Sequence, residues 1–141
     1  MNNIKEIKLD KKRIIIPKEF GFEPKTIVYP MIDPRYPDIV FLYSEDDFEE
    51  KVNHFLEKLD EDLKYKRITQ ETYNAYVRKF ASECSFSDEE LDSERRITLD
   101  DQIIDSLKLT DKVLVILDGN KIVLSKDEET YNKYYEKRKS K

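Results

Sequence analysis

Two spacings of apolar residues alternate along this chain. Short β-branched runs bounded by turn residues predict strands at 13–16, 26–29, 39–43, 97–99, 112–117 and 121–124. Elsewhere the apolar positions return every three or four residues. Phe48, Val52, Phe55, Leu56 and Leu59 make one stripe, and Tyr73, Tyr76, Val77, Phe80, Ala81 and Cys84 make another. Such one-sided stripes predict helices, the second over 69–84. Ser44 and Ser125 each sit where a serine hydroxyl can accept from the free N–H groups of a helix start, with Asp47 and Glu128 three residues on. Asp118-Gly119-Asn120 is a tight-turn signal, because glycine takes a positive φ without a Cβ clash. All five prolines fall within the first 37 residues, so the segment 30–37 between two strands is expected to be stiff and extended.

The order of these elements repeats. Leu9-Asp10-Lys11-Lys12-Arg13-Ile14-Ile15-Ile16-Pro17 is answered by Leu91-Asp92-Ser93-Glu94-Arg95-Arg96-Ile97-Thr98-Leu99-Asp100. Each is a Leu-Asp pair, a charged turn, an arginine and a β-branched strand. Downstream, the run from Pro24 to Tyr29 aligns with Asp111 to Ile116, and Phe41-Leu42-Tyr43-Ser44 aligns with Ile122-Val123-Leu124-Ser125. The expected organisation is one domain over 1–141: a first repeat with its following helix at 4–60, a connecting helix at 69–85, and a second repeat with a C-terminal helix and basic tail at 88–141. The expected fold class is α+β, with two pseudo-symmetric β-rich repeats sharing a barrel-like core and helices outside.

Composition narrows the function classes. At 141 residues the chain suits one ordinary domain, and 38% hydrophobic residues suffice for a core under a surface rich in charge. No apolar run is long enough to span a membrane and Met1-Asn2-Asn3-Ile4-Lys5 lacks a signal-peptide core, so a cytoplasmic protein is expected. With one cysteine, Cys84, and one histidine, His54, neither an internal disulfide nor a structural zinc is expected, and no other metal or cofactor. Gly21 and Gly119 are the only glycines, which excludes a glycine-rich phosphate loop. No nucleophile, base and oxyanion set can be assembled, so an enzyme is not expected. Cys84 reads as a small buried apolar residue, His54 as a bystander beside its stripe, and the tyrosines as core or subunit contacts. The net charge is −5, but it is segregated: Lys5, Lys8, Lys11, Lys12, Arg13 and Lys18 crowd the start, whereas 45–62 and 88–101 are mainly acidic. The acidic stretch 45–62 reads as a solvated helix face, and Lys137-Arg138-Lys139-Ser140-Lys141 as a disordered solubilising end.

The repeated Asp-x-x-x-Arg followed by an apolar strand resembles the signature of the MraZ family of transcriptional regulators, and more distantly the swapped-hairpin domains of AbrB and MazE. Asp92-Ser93-Glu94-Arg95-Arg96-Ile97 has that spacing, and Asp10-Lys11-Lys12-Arg13-Ile14 is one residue shorter. Tyr76-Val77-Arg78-Lys79-Phe80-Ala81-Ser82 is similar to the family's helix before its second repeat, so the resemblance spans nearly the whole chain. Lys12 and Arg95 stand where the family usually has glycine, and Asp100 where it has proline, so a different turn geometry is expected.

The resemblance implies a DNA-binding regulator of division or cell-wall genes, acting as a ring-shaped homo-oligomer associated with the nucleoid. It carries Arg13 and Arg96 over as contacts to double-stranded DNA. A guanidinium offers a rigid fork of donors to a guanine edge or to phosphate. Lys8, Lys11, Lys12 and Arg95 join them on charge alone, supplying phosphate attraction. Asp10 and Asp92 are expected to shape the turns and aim the arginines, since a carboxylate facing phosphate would repel it. The alternative is a MazE-like antitoxin or protein-interaction module on the same fold, whose acidic helices bind a basic protein partner.

Overall fold

The computed structural model describes residues 3–84 and 88–139. The first half of the chain builds β1 (Ile4–Lys8), β2 (Arg13–Ile15), a single 3-10 turn (Lys18–Phe20), β3 (Ile27–Ile32), β4 (Ile39–Ser44) and α1 (Glu45–Lys64). After α2 (Gln70–Glu83) come β5 (Glu89–Glu90), β6 (Arg96–Thr98), α3 (Asp101–Leu107), β7 (Lys112–Asp118), β8 (Lys121–Ser125) and α4 (Glu128–Lys139). The protein is α+β: six antiparallel strands in the order β1-β7-β8-β4-β3-β5 curl into a half-barrel, and β2 and β6 form a separate two-stranded ribbon.

The two halves interleave through their strand pairing. β1 pairs with β7, β5 with β3, β4 with β8 and β2 with β6, every one of these pairs joining one half to the other. Inward and outward residues alternate with the pleat. Val28, Val40, Leu42, Val113, Val115, Ile122 and Leu124 face the main core, which Ile14 and Ile97 of the ribbon close from the opposite side. Ile39, Phe41, Leu114, Ile116 and Val123 face outward and are met by Tyr131 and Tyr134 of α4.

That alternation corrects the alignment of the halves. Matching Phe41 with Ile122 sets an outward side chain against an inward one. Moving the match by one residue brings Leu42 onto Leu124 and Phe41 onto Val123 and restores parity, as a two-residue period requires. β3 also runs further than expected, through Pro30 to Ile32, so the connection to β4 is only the turn at 33–38. Proline is tolerated in β3 because β5 covers only Ile27 and Val28, leaving that side of Pro30 a free edge.

Helix ends follow local chemistry. The Ser44 hydroxyl accepts from the Asp47 N–H at 3.3 Å and starts α1, and Thr69 does the same for α2 through Thr72 at 3.1 Å. Ser125 does not cap α4. It is the buried last residue of β8, and its hydroxyl donates to the Asp127 carbonyl, while the Asp127 carboxylate accepts from the Thr130 N–H at 2.8 Å. The basic end is not a free tail as far as it is described: α4 continues to Lys139, and Arg138 reaches Asp118 at 3.0 Å. Ser140 and Lys141 lie outside the described residues. α1 and α2 form an arm hinged on the sheet by the stacked Tyr29 and Phe48 rings and closed on itself by Phe55 against Phe80. Cys84, at the end of α2, is half-buried rather than in the core, and burial raises its thiol pKa. Tyr131 and Tyr134 are core residues, whereas Tyr76 and Tyr135 are exposed. Among the described residues no helix is long and apolar enough to cross a membrane.

Candidate nucleic-acid interface

The Asp-Arg segments fold into two hairpin turns that feed the ribbon. In the first, Asp10 and Arg13 exchange both backbone hydrogen bonds at 2.9 Å, and the two residues between them, Lys11 and Lys12, have φ values of 50° and 70°. Positive φ at both central positions is the type I′ turn that suits the twist of a hairpin. The second loop is one residue longer. Asp92 donates to the Arg96 carbonyl at 3.0 Å, the Arg95 N–H returns to the Asp92 carbonyl at 3.0 Å, and Arg95 sits at φ 63°. This is the three-residue loop whose last residue is left-handed.

Neither turn contains a glycine. Lys12 and Arg95 adopt the left-handed backbone that glycine would supply, and they carry its strain. Replacing Lys11-Lys12 by Asn-Gly should raise the Tm by roughly 3–5 °C, measured by thermal melting, because this pair fits a type I′ turn without strain. Asp100 also has a role of its own: its carboxylate accepts from the Gln102 N–H at 2.7 Å and caps α3, where Pro17 leads into the 3-10 turn in the first half.

Between the turns, β2 and β6 pair with Ile14 opposite Ile97, Arg13 opposite Thr98 and Ile15 opposite Arg96. The ladder continues at both ends, Ile16 donating to the Arg95 carbonyl at 2.8 Å and Leu99 to the Lys12 carbonyl at 2.6 Å. With Ile14 and Ile97 pointing into the core, period-two alternation sends Arg13, Ile15, Arg96 and Thr98 to the outer face. Arg13 and Arg96 are diagonal neighbours there, on either side of a half-exposed Ile15.

Electrostatically the two arginines differ. Asp92 accepts from the backbone N–H of Glu94 and of Arg96 at 2.8 and 2.9 Å and from the Arg96 guanidinium at 2.9 Å. Those bonds, the Arg96 N–H foremost, hold its pKa below the usual carboxylate range and raise that of Arg96. Glu94 adds a second contact to Arg96 at 3.3 Å. Arg13 makes no side-chain ion pair among the described residues, and Asp10 bonds to it through backbone alone.

The neighbouring cations are partly compensated. Lys12 meets Asp101 at 2.7 Å, which raises its pKa, and Arg95 reaches Glu23 at 3.5 Å and the Phe22 carbonyl at 3.3 Å. Lys11 is exposed at the tip of the first turn. Lys8 is exposed at the end of β1 opposite Lys112, whose ammonium is occupied by Glu6 at 3.2 Å. The two turns thus flank the ribbon at opposite ends, Lys11 and Lys12 beside Leu99 and Asp101 and Arg95 beside Ile16 and Glu23, with Arg13 and Arg96 on the outer face between them.

A pH dependence follows from Asp92. A carboxylate whose folded pKa is depressed adds stability above its unfolded value and loses it as pH falls through the folded one. Urea midpoints followed from neutral pH into acid should therefore drop less steeply in Asp92→Asn than in the unsubstituted protein. Salt should shrink the difference, since the pair is partly exposed.

Asp46, Glu49, Glu50, Glu57 and the exposed His54 line an open groove along α1, and no cluster able to hold a metal ion occurs among the described residues. Sequence patterning gave no hint of a second polar site, a cleft on the outward face of the sheet lined by Phe41, Tyr43, Lys51 and Lys121. Phe41 and Tyr43 recur at the strand period, which could have been read as an aromatic pair on one face. Comparison with models of known protein families gives no match, and no curated protein is significantly similar to the chain.

Proposed function

We propose that this protein binds double-stranded DNA through the outer face of the β2–β6 ribbon, as a regulator of transcription built from two swapped-hairpin repeats. The observation that carries the reading is the ladder centred on Ile14 and Ile97, whose register makes Arg13 and Arg96, both half-buried, diagonal neighbours on the outer face. A two-stranded ribbon fits the major groove, and arginine is the side chain best suited to guanine edges and phosphates there. Ile15 and Thr98 between them offer apolar contact of the kind a thymine methyl takes. The exchange of strands between halves supports the repeat architecture, since each half leaves its first strand to pair with the other.

One ribbon offers few phosphate contacts, so a homo-oligomer presenting several ribbons to one duplex belongs to this proposal, as does location at the nucleoid. Retention of a labelled duplex carrying the sequence upstream of the chain's own gene tests it. Binding should weaken strongly in Arg13→Ala/Arg96→Ala with folding intact, and unchanged affinity would remove the site.

A second reading draws on the acids around the turns. Lys12, Arg95 and Arg96 all meet carboxylates within the chain, which lowers the field a phosphate would feel and favours a protein partner for this surface or the acidic α1 face. A stoichiometric protein partner, together with no duplex retention at low salt, would decide for that module.

A further inference from the structure

On the face of the sheet away from the ribbon, the helical arm, the 33–38 turn and α4 enclose a cleft of about 660 Å³. That volume falls within the range of pockets that hold small molecules. Its floor is β4, where the outward Phe41 and Tyr43 lie 6.2 Å apart, and its walls include the stacked Phe55–Phe80 pair and the Tyr36–Tyr134 pair.

Cations outnumber acids around this aromatic floor, Arg35, Lys51, Lys79, Lys121 and Arg138 lining the cleft against Asp33 and Glu83. The Lys121 ammonium lies 5.0 Å from the Phe41 ring centre and 5.9 Å from that of Tyr43, and the Lys51 ammonium lies 5.6 Å from the Tyr43 ring. Two ammonium groups thus lie within about 6 Å of one tyrosine ring centre, and neither makes an ion pair among the described residues. Two of the acids beside the cleft are held by its arginines, and Glu83 makes no ion pair among the described residues. Asp33 is bound to Arg35 at 2.8 Å, Asp118 to Arg138 at 3.0 Å, and burial together with Asp33 raises the Glu83 pKa. Burial lowers the Lys121 pKa, with Arg138 and Lys51 adding repulsion against the pull of Asp118. Burial pushes the Tyr43 hydroxyl up to about 12, so it stays neutral and can donate.

We infer that this cleft binds a small aromatic anion, its charge held between Lys51 and Lys121 and its ring against the aromatic walls. Attraction between ammonium groups and ring faces leaves the positive charge concentrated rather than cancelled, and a half-enclosed site strengthens its hold on an anion. The site lies opposite the ribbon, so this inference stands independently of the DNA-binding reading.

Fluorescence titration of the full chain with anilinonaphthalene sulfonate, and with its uncharged analogue phenylnaphthylamine, tests it. The sulfonate should bind at one site per chain and about tenfold more tightly than the neutral probe. Lys121→Met and Lys51→Met should each weaken sulfonate binding by about tenfold and leave phenylnaphthylamine unchanged. Lys121→Met removes a half-buried charge and Lys51→Met lies on the arm, so both are expected to fold, which circular dichroism checks. Displacement of the sulfonate by ADP would point to a nucleotide, and displacement by benzoate to an aromatic acid. Equal affinity for the two probes, or wild-type sulfonate binding in both lysine variants, would overturn the inference.

Discussion

Ile97→Ala is expected to destabilise the protein by about 3 kcal/mol, and Ile14→Ala by a similar amount, in urea unfolding at neutral pH. Both side chains are at least 98% buried, and they face each other at the centre of the β2–β6 ladder. The ribbon is three residues long on each strand, too short to persist without packing. Its attachment comes from Ile14, Ile16, Ile97 and Leu99, which fill the concave side of the half-barrel against Val28, Leu42, Val115 and Leu124. Truncating either isoleucine removes its transfer energy and leaves a cavity where the halves meet. A loss of this size is a large share of the roughly 5–15 kcal/mol that holds a domain together. Because the two positions touch, the double variant should depart from additivity by at least about 0.5 kcal/mol. Ile15→Ala supplies the contrast: at 51% exposure on the outer face, it should change stability by no more than about 0.5 kcal/mol. Equal losses at Ile15 and Ile97 would mean that the ribbon does not face the core as described.

Where side-chain period decides an element, the chain is readable. β4, β7 and β8 are long β-branched runs, and α1 and α2 carry clear stripes behind Ser44 and Thr69, so these elements lie where the pattern puts them. What escaped was decided by partners distant in sequence. Glu89–Glu90 is a strand only because Val28 and Ile27 lie beside it, and Ile4–Lys8, with polar residues between its isoleucines, is ordered by its ladder to β7. α3 was missed because seven residues show too little periodicity, although the Asp100 cap was present in the chain. The repeat was visible in Leu9-Asp10 and Leu91-Asp92, but aligning letters across the proline-bearing connection slipped one residue at Phe41, a slip that only the in-out pattern of the folded sheet reveals. Positive φ at Lys12 and Arg95 was hidden for a related reason. Neither turn carries the glycine that usually marks a left-handed position, and the backbone bonds closing each hairpin hold Lys12 and Arg95 in that conformation. For the candidate interface the sequence supplied the arginines, and the ladder supplied their common face. It could not supply the acids around them, because Asp101 and Glu23 reach the turns from other elements.

Those acids set what the arginine substitutions should do to DNA affinity. Arg13 is unpaired by any described carboxylate and Arg96 is held by Asp92 and Glu94, so Arg13→Ala should weaken duplex binding more than Arg96→Ala does, by about tenfold or more. The double variant should also flatten the dependence of log affinity on log salt concentration. If both guanidiniums neutralise phosphates, the slope should fall by about two units, whereas a purely base-edge role would lower affinity with the slope retained. Glu94→Gln supplies the opposite sign. It removes the 3.3 Å contact to Arg96 while leaving Asp92 to hold the turn, so more of the Arg96 charge is open to phosphate. Duplex affinity at low salt should then rise by a few-fold, and the rise should vanish as screening sets in over about 10 Å at 0.1 M salt. Fluorescence anisotropy of a labelled duplex across a salt series measures all four variants. If Arg13→Ala, Arg96→Ala and Glu94→Gln bind alike at every salt concentration, DNA does not touch the ribbon, and the compensated charge of the turns serves a protein contact instead.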